Sequence, residues 1–398
     1  MIIELHLLQS FPTSNLNRDE FGQPKTVTFG GCTRSRISSQ CLKRSARQEL
    51  TKFGLDESEV GVRTKRLRDA AAEVLVERGR DADLAPGVAE IGLQSLGFGV
   101  KKNGLTEYLL FVGQQSGGVL ADFCDREWDK LAEARAKAEE EAERKRKKKG
   151  DGDSEGENVA ATAAKKVKPT GNAAKAARDL LDARRAADVA LFGRMIADNK
   201  DFNVNAASQV AHAISTHSVA NEFDYYTAVD DLKPDAEAGA DMIGDVGFNA
   251  ACYYRYANLD LEQLTKNLGG DDALVERAAK AWLHAFINAV PTGKQNSMAA
   301  RTMPETLLGV VRDSGAWNLA NAFLKPVDTK ESASDGVMVA SSRRLGDHFD
   351  KLRRFYGATT LRTVIAASLN EELQPFGPDE TAADLDAFTA KALNGARG

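Results

Sequence analysis

The chain has 398 residues, 53 Lys and Arg against 58 Asp and Glu, and a formal net charge of -5, with 42% hydrophobic and 28% charged residues. That balance fits an ordinary globular protein of two or three structural units and argues against a strongly basic nucleic-acid-binding domain, so any anion site must be local. The apolar start MIIELHLLQS carries Glu4 and lacks a basic lead, no run approaches the roughly 18 apolar residues of a membrane span, and the four cysteines form no C-x-x-C pair. A cytoplasmic protein without zinc site or disulfide framework is the expectation.

In chain order, residues 2–9 read as a central strand, rich in large apolar side chains. Residues 10–36 are interrupted by Pro12, Gly22, Pro24, Gly30 and Gly31 and read as one long loop. The spacing then predicts a helix over 39–53. Leu42, Ala46, Leu50 and Phe53 form a stripe about 80° wide, with Gln40, Lys43, Arg44 and Arg47 opposite and Ser38 or Ser39 as the cap. Between Lys25 and Lys52 stand seven basic residues and a single acidic one, Glu49. In an acidic protein this excess is localised.

Helical segments are predicted over 63–78 and 118–130. A charged helix follows from Leu131, and then a stretch with the composition of a disordered linker, so that 132–171 form a low-complexity insert. Helical pattern resumes at Ala173 and ends at FGRM (192–195). Residues 196–219 read as an extended, hairpin-like excursion. The last third alternates: a strand over 248–258, a helix capped by Asp260 and stopped by Gly269 and Gly270, a helix over 272–289 and a strand over 306–311. Together with the N-terminal strand this order predicts an α+β fold with an RRM or ferredoxin-like sheet carrying insertions.

The run FGGCTRSRISSQCLKRSAR (29–47), preceded by LNRD (16–19), resembles the crRNA-binding backbone subunit of type I-E CRISPR Cascade complexes, the CasC family. The likeness continues through FGRM, AHAISTHSV (211–219), TAVDDL (227–232), YYRYANLDLEQLTKNLGG (253–270), VPTGKQ (290–295) and NLANAF (318–323). The resemblance implies an RRM-like palm from 1–55 and 228–398, helical fingers over 56–192 including the insert, and a β-hairpin thumb over 193–227. It implies several copies stacked in a helical filament along one crRNA, other Cascade subunits as partners, and target DNA reached through the guide. It implies no catalysis and no cofactor.

A guide strand must be held by its phosphates, because contacts to base edges would tie the protein to one sequence. Arg18, Lys25, Arg34, Arg36, Lys43, Arg44 and Arg47 supply cations, and Ser38, Ser39 and Gln40 supply polar donors at a helix start. Composition alone would leave a solvated basic face. Through the resemblance, Lys25, Ser38, Gln40, Lys43 and Arg47 stand at backbone-contact positions, while Cys32 falls where a basic residue is expected. Met195, Tyr226 and Thr227 match thumb positions that wedge against a displaced base, with Arg194 in reach of a phosphate. Lys294, in a loop that lacks the first glycine and the Ser or Thr of a P-loop, joins the RNA-binding set. Tyr253, Tyr254 and Tyr256 are expected to pack in a strand, His212 and His217 lack metal-ligand spacing, and ERKRKKK (143–149) is expected to be a solvated tail. Two other readings stand beside this one: a metal-dependent RNA-cleaving relative using Asp19, and a scaffold without RNA contacts of its own.

Overall fold

The computed structural model describes residues 1–148, 171–182, 184, 186–196, 202–228, 242–329, 336–370 and 376–397. Residues 149–170 of the expected insert and 229–232 of TAVDDL lie outside them. The elements begin with β1 (Ile2–Ser14), β2 (Thr26–Phe29), β3 (Cys32–Ile37) and α1 (Ser39–Glu49). Next come β4 (Gly61–Thr64), α2 (Leu67–Glu77), α3 (Ala85–Ser95), β5 (Leu110–Gly113), α4 (Ser116–Arg126), α5 (Trp128–Lys148), α6 (Gly171–Leu180) and α7 (Ala187–Phe192). They are followed by β6 (Ser208–Val210), β7 (Ala213–Ser215), β8 (Glu222–Ala228), β9 (Met242–Asp260), α8 (Leu261–Asn267) and α9 (Asp272–Asn288). The chain closes with α10 (Gln295–Met298), β10 (Thr306–Arg312), α11 (Gly336–Tyr356), β11 (Leu361–Ser368) and α12 (Leu385–Arg397). Helix and antiparallel sheet are mixed, an α+β protein.

Two compact units share these elements. The first is built from 1–55, 207–266 and 271–398, the second from 56–206 and 267–270.

The first unit contains one antiparallel sheet of order β11-β10-β1-β9-β7-β3-β2, with β6 and β8 also paired to β9. β1 is central: Leu5 stands opposite Gly309 of β10 on one side and Ala257 of β9 on the other. Helices cover both faces, which is why β1 is a nearly unbroken apolar run. Ile3, Leu5 and Leu7 face α9 and α12, where Arg255 lies over the Phe286 ring and a Cβ on Gly309 would come within 2.8 Å of Phe388. Leu8, Tyr254, Leu308 and Val310 face α11 and the 319–323 turn, packing on Phe323, Leu345 and Phe349. Each large side chain so buried contributes about 1.5–3 kcal/mol. The polar residues of β1 are paired where they are buried. Glu4 Oε2 lies 2.6 Å from Arg312 Nε, and His6 Nδ1 lies 2.9 Å from the Tyr254 hydroxyl.

The second unit is a helical core in which Leu67, Leu75, Val88, Leu93, Leu120, Phe123 and Leu180 are buried together, with β4 and β5 forming a two-stranded sheet. Asp188 accepts the Gly61 amide at 2.6 Å and joins α7 to β4. No described helix is long and apolar enough to cross a membrane.

Four sequence expectations change. Residues 10–36 are not one loop: β1 runs to Ser14, and TVTF and CTRSRI form a hairpin about Gly30 and Gly31 (φ 60° and 78°), the left-handed pair a two-residue turn requires. Arg63 and Thr64, expected in a helix, are in β4. Within 196–219, β6 and β7 do not pair with each other; each pairs with β9. The hairpin expected within 193–227 is also displaced. Residues 193–206 belong to the second unit, and β8 pairs with Met242–Phe248 at the start of β9, so the hairpin reaches beyond 227.

Candidate nucleic-acid interface

The basic stretch is held in shape by its own polar residues. Asp19 Oδ1 accepts the amides of Phe21 and Gln23, each at 2.9 Å, closing a turn between Arg18 and Lys25. Asn17 is the clasp: its carbonyl accepts the Lys25 amide at 2.9 Å, and its Oδ1 accepts the Ser38 amide at 2.8 Å. The Lys25 carbonyl in turn accepts the Arg36 amide at 2.8 Å. Loop, strand and helix start are thereby fixed to one another. Ser38 caps α1, its Oγ accepting the Cys41 amide at 3.3 Å, while Leu42 and Ala46 are buried beneath.

On this frame Arg18, Gln40 and Arg44 are exposed, and Lys25, Arg36, Ser39, Lys43 and Arg47 are half-buried. Burial lowers the Lys43 pKa, which a bound anion would reverse. Burial pushes the Cys41 thiol up, with Lys25 and Arg44 pulling it back, so both cations act on the first turn of α1. Lys294 joins the same region. It sits in the left-handed region (φ 53°) ahead of α10, and Gly293 lies so close to the Leu16 backbone that a Cβ there would overlap its carbonyl. Cys32 is half-buried at the β2–β3 turn.

Two expected phosphate contacts are corrected. Arg34 is fully buried; its Nη1 donates to the Ser215 carbonyl at 2.9 Å and its Nη2 to the Phe323 carbonyl at 2.8 Å. Arg194 is also buried, donating to the carbonyls of Phe111 (3.1 Å), Leu181 (2.6 Å) and Phe202 (3.0 Å), and burial brings its pKa down to about 10. Both guanidiniums are consumed by backbone oxygens and neither is available to a phosphate.

Met195 is 84% exposed, in the second unit. Tyr226 and Thr227 lie on β8 in the first unit, where every residue of the strand is exposed. The Tyr226 ring lies across Gly244 on the partner strand, so close that a Cβ there would sit 2.6 Å from its hydroxyl. Tyr253, Tyr254 and Tyr256 are buried in β9. Asp19 serves its turn, and among the described residues no three His, Cys, Asp or Glu side chains group as a metal site.

Sequence reading passed over Asn17, whose spacing from Ser38 carries no signal, and His212. The latter's Nδ1 lies 3.3 Å from the Ser39 amide nitrogen and 3.2 Å from Arg36 Nη1.

Known structures carry the same fold. A chain of a complex described as "CRISPR RNA-guided surveillance complex, pre-nicking" matches at a TM-score of 0.83 and 29% identity, covering 100% of both chains. A chain of a second "CRISPR RNA-guided surveillance complex" matches at 0.72 and 25% identity, again over 100% of both. No curated protein matches the sequence. The family model described as CT1975-like protein matches residues 3–391, nearly the whole length, and the chain therefore belongs to the CT1975-like (Cas) family.

Proposed function

We propose that this chain is the non-catalytic crRNA-binding backbone subunit of a type I-E CRISPR Cascade surveillance complex, the CasC role. The observation that carries the reading is the convergence of Lys25, Arg36, Lys43, Arg44 and Arg47 on one loop-and-helix element of a net-acidic protein. Such a set neutralises phosphates without reading bases, as a subunit serving any guide must. The similarity along the full chain to subunits of RNA-guided complexes supports it.

In this reading the antiparallel order β10-β1-β9-β7, with α1 and α9 as its crossing helices, is a ferredoxin-like palm. The second unit is the fingers, and the β8–β9 hairpin is the thumb, with Tyr226 and Thr227 beside a displaced base. Copies assemble along the crRNA in the cytoplasm with other Cascade subunits, and the displayed bases pair with target DNA.

The test is a gel-shift series with labelled repeat–spacer RNAs of unrelated guide sequence at several salt concentrations. Lys43→Ala with Arg47→Ala weakens binding equally on every guide and makes the log–log salt slope shallower by about 1.4, about 0.7 for each lost phosphate contact. Unchanged affinity and slope would leave a scaffold without RNA contacts of its own.

A further inference from the structure

β6 and β7 are two halves of one strand interrupted by a bulge. Val210 is paired with Ala257 and Ile214 with Tyr254, so 211–213 oppose only 255 and 256. The extra residue breaks the alternation, and bulges of this kind re-aim a side chain out of the pleat. Here the side chain is His212. The bulge brings it to the junction of β3 and α1, beside the pairing of Ile37 with Ala213.

Its chemistry is set by two neighbours that can only donate. The Ser39 backbone N–H and the Arg36 guanidinium both point at Nδ1, at 3.3 and 3.2 Å. Nδ1 must therefore accept, and in a neutral imidazole the proton then resides on Nε2. Partial desolvation of the ring, followed by the Arg36 and Lys25 cations, lowers its pKa from the ordinary value. Nε2 has no partner among the described residues, and the residue is exposed. The result is a neutral N–H donor in fixed orientation among the cations of the basic loop.

Resting on the functional reading above, we propose that His212 is an RNA-contact residue whose Nε2–H donates to a phosphate oxygen of the guide strand, between the phosphates held by Lys25 and Arg36. It acts as an uncharged donor in an otherwise cationic grip. Its removal therefore lowers affinity without removing a counterion-release step.

Two isosteric substitutions separate contact from support. Asn places its oxygen near the position of Nδ1 and keeps the acceptor for Ser39 and Arg36 but has nothing at Nε2. Gln reaches the Nε2 position with an NH₂ donor. Binding of labelled repeat–spacer RNA to the full chain is measured by gel shift at several salt concentrations, with thermal melting to confirm folding. The expected result is roughly tenfold weaker binding for His212→Asn with an unchanged salt slope, and recovery to within about threefold of the parent for His212→Gln. If Asn binds like the parent while Gln is weak, His212 only supports Ser39 and Arg36 and the inference is overturned. Parental binding by both variants overturns it as well. Lys43→Ala with Arg47→Ala, run alongside, separates the two levels: if that pair also binds normally, the RNA-binding reading itself has failed.

Discussion

Arg34 donates from Nη1 to the main-chain carbonyl of Ser215 at 2.9 Å, joining β3 to β7 from inside the fold. The opposite end of the fork holds the Phe323 carbonyl, so one side chain ties three distant segments. Arg34→Ala leaves two buried carbonyls unpaired and a cavity, and should lower the unfolding free energy by about 2–4 kcal/mol in urea titrations. The folded fraction should keep the parental salt slope for RNA. A loss of slope near 0.7 would return Arg34 to the phosphate-binding set.

Ser38 should behave as an ordinary helix cap. Ser38→Ala is expected to cost about 1 kcal/mol and Ser38→Gly only a few tenths, because glycine frees the capping amides to water. Parental stability for Ser38→Ala would show that the Oγ bond to Cys41 contributes nothing.

His6 makes stability depend on pH. Burial, followed by the Arg312 charge, lowers its pKa to about 3 from an ordinary value of 6.5. The unfolded chain therefore takes up this proton first. The contribution is complete above about pH 6.5 and is lost as pH falls toward 3, at roughly 1.4 kcal/mol per pH unit. His6→Asn should make the slope of unfolding free energy between pH 6 and 4.5 shallower by about that amount. Glu4 titrates in the opposite sense, its pKa raised chiefly by burial, and it is present in both proteins. Identical slopes for parent and variant would show that His6 is protonated in the folded state.

Tyr226 separates stability from binding. The residue is 44% exposed and its ring packs on Gly244, so Tyr226→Ala should shift the melting temperature little. Loss of base stacking should weaken RNA binding by about 1–3 kcal/mol on every guide alike. A large stability loss with parental affinity would make Tyr226 a hairpin strut.

The parts of the fold legible in the sequence are those whose cause is local. β1 could be recognised as central because both of its faces are covered, and α1 because Leu42 and Ala46 recur at helical spacing over a basic face. The GG hairpin was legible in principle: alternating residues flank a glycine pair, and the density of breakers around it obscured the pattern. Arg34 was not. Arg34 and Arg36 share a strand parity, and what separates them is a carbonyl at Phe323, 289 residues away. Arg194 hides for the same reason, since its oxygens come from β5 and from two other segments of the second unit, at Leu181 and Phe202. His212 depends on a one-residue bulge that no periodicity announces.

The interrupted makeup of the first unit also dictates an order of assembly. β1 leaves the ribosome well before its partners, since Ile2 finds them only at Asp260 and Arg312. At about 5–20 residues per second it waits on the order of 15–60 s, while the almost continuous second unit can already collapse. A nascent chain thus carries the unpaired apolar strand MIIELHLL past a finished domain, and its need for chaperone protection falls in that interval.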